Sequence, residues 1–339
     1  MNPVILIKLP LKGNMSKPFT SVIIPTYNHS SSLFQALKSI ENQTLQTNRF
    51  EVIIIDDGST DETEEICLNN YNFDLRYKFQ SNQGDAAARN TGAQLAQGDF
   101  LVFMDDDIRV EPDYLEGLIN FYRDGSPMIV MGKSIIGSDS TDGTFQVVMS
   151  QIIDDRKVGD LLKFDQLCSN NMGVCRKDYF AIGGMQSLGF KGSDMWCDVD
   201  FAYRAFQKGY QFRLNPEAVI FHIDHNLESR QKYMHRSEEI ASRAVALFKR
   251  YPGLQPHLSM FNDMTPFSIR VDPINLSVRK LFRRLSASGP VLWLLQSFAG
   301  FFENLYPSPT ILKPLYRWIN GAYIYRGYRK GLTASKQVE

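Results

Sequence analysis

Phe100-Leu-Val-Phe-Met-Asp-Asp-Asp107 sets five apolar residues directly ahead of three adjacent carboxylates. An unbroken apolar run of this length reads as a strand covered on both faces, with the acids at its carboxyl end. The same arrangement recurs toward the N-terminus. Val52-Ile-Ile-Ile55 precedes Asp56-Asp57-Gly58-Ser59, and Ser21-Val-Ile-Ile-Pro25 precedes Thr26-Tyr27-Asn28. Between these runs, Leu33, Ala36, Leu37 and Ile40 fall at helical spacing, with Ser30 or Ser31 as N-cap. Ser59-Thr-Asp-Glu62 reads as a capping box opening a second helix, Leu75 to Phe79 as another strand, and Asp85 to Gln97 as a helix stopped by Gly98. Strand–helix alternation of this kind predicts a doubly wound, mostly parallel α/β sheet. Ligands of such sheets bind outside the carboxyl ends of the strands, where the three polar clusters lie.

Three carboxylates beside an apolar strand are costly unless a cation or water neutralises them. Oxygen-only ligation favours a hard divalent ion such as Mn²⁺ or Mg²⁺, which keeps phosphate oxygens and waters as its other ligands. The alternative is an acidic turn leading into a helix opened by Pro112-Asp113. Glycine-rich phosphate loops are missing: no G-x-G-x-x-G follows the first strand. Gly132-Lys133-Ser134 resembles the end of a P-loop, but Pro127 stands where that loop requires its first glycine. A diphosphate here would be held through metal, which points away from dehydrogenases and P-loop ATPases.

Further along, Met128 to Met131 reads as a strand, Gly137 to Gly143 as a loop, and Ala218 to Phe221 as a strand leading to His222. Val199, Ala202, Tyr203 and Phe206 mark a helix over Asp198–Lys208 ended by Gly209. Glu228 to Arg250 is a long amphipathic helix stopped by Pro252-Gly253. The 339-residue composition, 43% hydrophobic and 22% charged, is that of a globular protein with a sizeable core. Four cysteines without a C-x-x-C pair fit reduced thiols. The apolar run at the N-terminus is broken by Lys8 and Pro10, too short for a signal core or a span. A cytoplasmic location is therefore expected.

The segments S-V-I-I-P-T-Y-N (21–28), V-I-I-I-D-D-G-S-T-D (52–61), Q-G-D-A-A-A-R-N-T-G (83–92) and F-L-V-F-M-D-D-D (100–107) occur in order. Together they resemble the opening signature of glycosyltransferase family two, the nucleotide-diphospho-sugar transferases of the Rossmann-like GT-A fold. N-N-M-G-V-C-R-K-D-Y-F-A-I-G-G-M (170–185) and W-C-D-V-D-F-A-Y-R-A-F-Q-K-G-Y (196–210) resemble two later segments of that family. The resemblance covers roughly residues 20 to 225. It implies inverting transfer of a sugar from a nucleoside diphosphate, a UDP-sugar foremost, to a glycan or lipid-linked acceptor.

The resemblance also implies roles. Pro25, Tyr27 and Asp57 would line the nucleoside pocket, with Asp57 on the base; its alternative role is to cap the next helix. Arg89 would sit near the donor's phosphates or sugar, or merely pair with Asp85. Asp105 and Asp107 match the family's D-x-D motif, with Asp106 between them; all three face the donor, and Asp107 would hold the metal. His222 stands where related enzymes often carry a metal-binding histidine, although His225 competes for that role. Asp198 matches the general base, while Asp200 is free to pair with Arg204. One departure stands beside it: the family's glutamate before that aspartate is Cys197 here. That departure keeps open a catalytically silent nucleotide-sugar-binding scaffold. A nucleotidyltransferase is disfavoured, because Thr26-Tyr27-Asn28-His29 is not its basic glycine-rich loop. Trp196, in the Gln186–Trp196 loop, would stack on an acceptor sugar or pack in the core.

Four regions are expected: a leader over 1–18, the catalytic domain over 19–228, a helix and connector over 229–273, and a helical tail over 274–339. The chain carries 37 Lys/Arg and 37 Asp/Glu, but from Ile274 onward there are 10 basic and 2 acidic residues. A basic tail with interleaved Trp, Tyr and Arg fits helices lying on the cytoplasmic face of a membrane. A helical hairpin packed on the protein or on a second subunit fits as well. No nucleic-acid partner is expected.

Overall fold

The computed structural model describes residues 6–8, 19–122, 127–137, 144–145, 147–149, 161–190, 194–223, 227, 229–261, 263–264 and 272–336. The rest of the 1–18 leader, the expected loop beyond Gly137, residues 191–193, His225 and the connector over 265–271 lie outside the described residues. The chain forms two compact units. One comprises Met1–Gly137 with Val158–Ile223, the other Ser138–Lys157 with Asp224–Glu339.

In the first unit, β1 (Leu6–Lys8), β2 (Thr20–Thr26), α1 (Ser30–Glu41), β3 (Phe50–Asp56), α2 (Thr63–Cys67), β4 (Asp74–Phe79), α3 (Asp85–Leu95) and β5 (Phe100–Met104) follow one another. β6 (Ile108–Val110), α4 (Tyr114–Phe121), β7 (Met128–Gly137), β8 (Leu161–Leu162), β9 (Asn171–Cys175), α5 (Arg176–Ile182), α6 (Cys197–Gln207) and β10 (Gln211–Ile223) complete it. The sheet order is β1-β4-β3-β2-β5-β9-β7-β10-β6, with β8 on β10. The four strands β4, β3, β2 and β5 are parallel. Beyond them the sheet is mixed: β9 lies antiparallel between β5 and β7, and β7 is parallel to β10.

Every residue of β2, β3 and β5 is buried, as the apolar runs require of strands covered on both faces. Glu51 sits among them without exposure because its carboxylate is fully engaged. It accepts from Ser21 Oγ at 2.7 Å, Gln97 N at 2.6 Å and Arg76 Nη1 at 2.9 Å. From β2 the chain first winds outward through β3 and β4, then returns to place β5 on the other side of β2. The β2–β5 pairing ends at Ile23↔Phe103, and Pro25 beyond it has no N–H to continue the ladder. The two strands part there, which opens a crevice at the reversal of strand order.

Some local expectations change. α1 starts at Ser30, and neither Ser30 nor Ser31 caps it: His29 holds the N-cap position with no side-chain cap, while Ser30 N donates to Asp61 Oδ2 at 2.9 Å. The Ser59–Glu62 box does not form, because α2 begins only at Thr63 and the Ser59 hydroxyl is taken by Asn28 N at 2.9 Å. α3 stops at Leu95. Gly98 is needed instead for close approach, since a Cβ there would lie 2.7 Å from Ser21 N. β7 runs to Gly137, beyond the expected Met131, because β10 accompanies it across a register shift between Asn215 and Val219.

Among the described residues the second unit holds four long helices: α7 (Arg230–Arg250), α8 (Ile274–Ser286), α9 (Gly289–Leu305) and α10 (Pro309–Lys336). Ser229 Oγ caps α7 by accepting from Lys232 N at 3.1 Å. α7 and α10 pack in close contact. A Cβ on Gly327 would stand 1.9 Å from Glu238 O, and one on Gly331 2.2 Å from Ser242 O, so these two small residues one turn apart set the helix separation. Lys330 Nζ lies 2.5 Å from Glu238 Oε1 across the same seam.

Candidate active site

A cavity of about 530 Å³ opens where β2, β3 and β5 end. Pro25, Tyr27, Asp57, Asp105, Asp106 and Asp107 all line it, so six of the residues singled out in the sequence meet in one place. Thr26, His29, Asn82, Gly84, Asp85, Ala88 and Asp194 complete the lining, and of these His29, Asn82 and Asp194 were given no site role from the sequence. Asp194 arrives from the segment before α6, and its Oδ2 accepts from Ala86 N at 2.8 Å in the first turn of α3. That contact requires Gly84, whose φ is +92° and whose Cβ would approach Asp194 Oδ2 to 2.4 Å. No local signal marks a carboxylate that caps a helix more than a hundred residues away.

The acidic turn after β3 divides its labour. Asp56 accepts from Gly58 N at 3.1 Å, Ser59 N at 2.7 Å and the Tyr77 hydroxyl at 2.8 Å, which makes it the turn's internal brace. Asp57 does not cap α2. Its carboxylate accepts from Gln80 Nε2 at 2.7 Å, Gln83 N at 3.0 Å and Gly84 N at 2.8 Å, and so fixes the chain between β4 and α3 against the cavity. Asn28, with a left-handed φ of +55°, ties the turn after β2 to the same wall through Thr60 N at 2.7 Å.

The three carboxylates after β5 have different surroundings. Asp106 is buried; it accepts from Thr26 Oγ1 at 2.7 Å and faces His29 Nδ1 at 3.2 Å. That hydrogen bond raises the His29 pKa against the opposing effect of burial. Asp105 receives a hydrogen bond from Arg89, which also donates to Asp85. The sequence set a place near the donor against a pairing with Asp85; Arg89 pairs with Asp85 and with Asp105 as a buried cation, and does not itself line the cavity. Burial pushes the Asp105 carboxyl above the ordinary carboxylate range, and Arg89 pulls it back. Asp107 Oδ2 lies 3.4 Å from His222 Nε2, because β10 pairs with β6 at His222↔Ile108. Asp107 Oδ1 is buried and has no hydrogen-bond partner among the described residues.

Asp198 and Trp196 stand outside the lining of this cavity. Asp198 lies in the first turn of α6, in the electrostatic field of Arg89, and loss of hydration raises its pKa. Cys197 beside it is buried, with its thiol pushed up to about 12, so it is neutral and inert at physiological pH. Trp196 holds the N-cap position with a left-handed φ of +73°. Among the described residues it and Asn28 are the non-glycine positions with positive φ. Asp200 pairs with Arg204 as expected, at 2.8 Å. Arg204 then donates to Ile182 O and Gly184 O at 2.7 Å each. From the other side Asn90 Oδ1 accepts from the Tyr179 hydroxyl at 2.6 Å and from Met185 N at 3.0 Å. The double-glycine turn, with φ of +102° and +62°, thus joins α3 to α6 and holds Arg89 and Asp198 in fixed relation.

Among the described residues no group of three His, Cys, Asp or Glu is disposed to hold a metal ion by itself. A cation here would share Asp107 and His222 with ligands from outside the protein.

Residues 21–180 match the model of glycosyl transferase family 2. Over 110 residues the chain is 44% identical to an uncharacterized glycosyltransferase of Haemophilus influenzae, covering 32% of this chain and 43% of that protein. It is 36% identical over 135 residues to validoxylamine A glucosyltransferase of Streptomyces hygroscopicus, covering 38% and 30%. It is 34% identical over 116 residues to the poly(ribitol-phosphate) beta-N-acetylglucosaminyltransferase TarP of Staphylococcus aureus, covering 33% and 36%. The match thus spans less than half the length of these relatives. In fold, the chain is similar to the mannosyltransferase PcManGT of Pyrobaculum calidifontis, solved with GDP-Man and Mn²⁺. The TM-score is 0.58 at 18% identity over 93% of this chain and 88% of that one. It is also similar to S. aureus TarS 1-349 in complex with UDP, with a TM-score of 0.51 at 18% identity over 94% and 92%. The motifs and the matched family model agree, and residues 21–180 of the chain form a glycosyl transferase family 2 segment on a GT-A-like fold.

Proposed function

We propose that this glycosyltransferase moves a sugar from a nucleoside diphosphate, a UDP-sugar foremost, to a hydroxyl of a glycan or lipid-linked acceptor, with inversion at the anomeric carbon. The observation that carries the reading is the convergence of Asp105, Asp106 and Asp107 with Pro25, Tyr27 and Asp57 on one cavity at the sheet's reversal point. The cavity has the volume of a small-molecule site. Tyr27, 48% exposed, offers a ring face for the base, and Asp57 stands beside it on the cavity wall.

Asp107 and His222 would hold Mn²⁺ or Mg²⁺. The unpartnered Asp107 Oδ1 fits that role, and an imidazole in the ligand set favours Mn²⁺ over the oxygen-seeking Mg²⁺. When bound, the cation supplies charge stabilisation to the departing nucleoside diphosphate. The protein's own part is positional. Arg89 holds Asp105 by a hydrogen bond and opposes the upward pull of burial on its pKa. Asp198 removes the acceptor hydroxyl's proton as its oxygen bonds to the anomeric carbon and the bond to the diphosphate breaks. Trp196, whose left-handed backbone precedes Asp198, would stack on the acceptor sugar; the positive φ supports a functional constraint there.

The test is donor hydrolysis and transfer with Mn²⁺ across UDP-, GDP- and dTDP-sugars. Asp107→Ala is expected to lose metal-dependent donor binding. Asp198→Asn is expected to keep donor binding and lose transfer, by roughly two to four orders of magnitude. Full activity in both variants refutes the assignment. Donor binding with no transfer to any acceptor identifies a silent nucleotide-sugar-binding scaffold instead.

A further inference from the structure

α8 and α9 are built inside out. On α8 the polar residues turn toward the protein: Lys280 Nζ donates to both Asp272 oxygens at 2.8 and 2.7 Å, Arg283 Nε lies 3.0 Å from Asp263 Oδ2, and Ser286 Oγ accepts from Trp318 Nε1 at 2.6 Å. Its outward stripe is Ile274, Val278, Leu281, Phe282 and Leu285, each 46% to 85% exposed. On α9, Gln296 Nε2 donates inward to the Tyr323 hydroxyl at 2.6 Å. Glu303 accepts from Arg230 Nη1 at 2.9 Å and from the Tyr316 hydroxyl. The outward face carries Trp293, Leu294, Phe298, Phe301 and Leu305, each more than half exposed, with exposed Ser297 and Asn304 between Trp293 and Phe301. Isolated exposed apolar residues need no explanation, but two successive helices with bonded polar faces inward and large apolar faces outward do.

The charge pattern selects the occupant. Exposed Arg279 and Arg284 flank the α8 stripe on its two sides. Within residues 272–306 the acids are Asp272 and Glu303, and both turn inward to bonded partners. A second copy of this chain would bring arginine against arginine around the same apolar patch, with no acid to offset them. An anionic bilayer surface complements both features. Among the described residues no single helix is long and apolar enough to cross a membrane. α8 and α9 reach that length and apolarity together but are bent by 89°. A pair so bent fits helices lying in the headgroup region.

We infer that α8 and α9 form an interfacial anchor that enters an anionic lipid leaflet, with Phe282, Trp293, Phe298 and Phe301 in the acyl boundary and Arg279 and Arg284 at the phosphates. This inference goes beyond sugar transfer and stands apart from it.

The test is flotation of the full chain with vesicles of phosphatidylcholine alone or mixed with phosphatidylglycerol, with donor hydrolysis in vesicle-free buffer measured in parallel. Wild type is expected to float with the anionic vesicles. Phe298→Ser with Phe301→Ser should weaken partitioning roughly a hundredfold. Arg279→Glu with Arg284→Glu should weaken it by roughly thirtyfold or more on anionic vesicles, and by little on neutral ones. All variants should retain donor hydrolysis, which shows them folded and separates this idea from the catalytic one. Undiminished flotation of the phenylalanine variant overturns the anchor. So does a sedimentation equilibrium in which wild type is a dimer and that variant a monomer.

Discussion

Replacing Arg89 by methionine isolates the cation that sits beneath the proposed donor cavity. Its guanidinium is 1% exposed and donates to Asp85 and Asp105, whose side chains are 44% and 32% exposed. A charge-assisted hydrogen bond is worth about 1.5–3 kcal/mol to the folded state, which sets the Asp105 contribution. The Asp85 pair is screened by solvent and adds less than about 1 kcal/mol. Arg89→Met should therefore cost about 2–4 kcal/mol. That is less than rupture of a fully buried pair, because Asp105 keeps a third of its surface on the cavity. Hydrogen exchange of the amides in β2, β5 and α3 is the suitable measure, since a chain of two units need not unfold in one step. Asp105→Asn in the Arg89→Met background removes the stranded carboxylate. The double variant should recover 1 kcal/mol or more relative to additivity, at about the coupling expected of contacting groups. It should not recover UDP binding. In Arg89→Met alone, Asp105 has lost the cation that opposes burial and holds its proton to higher pH. UDP affinity should then rise with pH over a higher range than in wild type. An additive double variant, or an Arg89→Met protein with unchanged protection, refutes this account of the site.

Three further outcomes are expected. Asp198→Asn should raise stability while abolishing transfer. Burial lifts this carboxyl's pKa, so the folded state holds the proton longer than the unfolded chain, and the stability penalty appears as pH rises through the shifted value. In wild type, kcat should climb with pH through that same value, and a kcat profile without an acid limb above the ordinary carboxylate range would refute the base assignment. Gly84→Ala should weaken UDP binding by roughly tenfold or more in calorimetry. It forces a side chain onto a φ of +92° and displaces Asp194 from Ala86 N, together about 1–3 kcal/mol; unchanged affinity counts against the role given to Asp194. Two glycines of α10 should respond with opposite signs in thermal melts. Gly321→Ala gains helix propensity of about 0.5–1 kcal/mol, because its Cβ meets Arg283 Nε at an ordinary 3.6 Å. Gly327→Ala loses about 1–3 kcal/mol, because its Cβ would overlap Glu238 O at 1.9 Å.

What the sequence made legible follows from how local each signal is. The strands over 20–26, 50–56 and 100–104 are built on continuous apolar runs, for which burial on both faces is the suitable environment, whereas 74–79 was legible from the alternation of Leu75, Tyr77 and Phe79 with Arg76 and Lys78. Their carboxyl-end clusters needed only the geometry of a parallel sheet to be brought together. Caps were misread because competition decides them: Ser59 could have capped α2, but Asn28 N from another loop took its hydroxyl. The antiparallel insertion of β9 leaves no trace in Asn171-Met-Gly-Val-Cys175, whose Asn171 reads as polar and proves fully buried. It accepts from the Tyr114 hydroxyl at 2.9 Å and donates to Gly132 O at 2.7 Å, partners that only the folded sheet supplies. The site shows the same division. Asp105 to Asp107 announce themselves as a run, whereas Asp194 and His29 act through residues far away in sequence. Cys197 belongs to neither class. Buried and neutral, it leaves Asp198 with no second carboxylate next to it in sequence, and a glutamate in its place would set a further negative charge beside a carboxyl whose pKa is already raised. At the proposed base this departure from the family pattern therefore removes a repulsion, and it lies outside the residues that line the cavity.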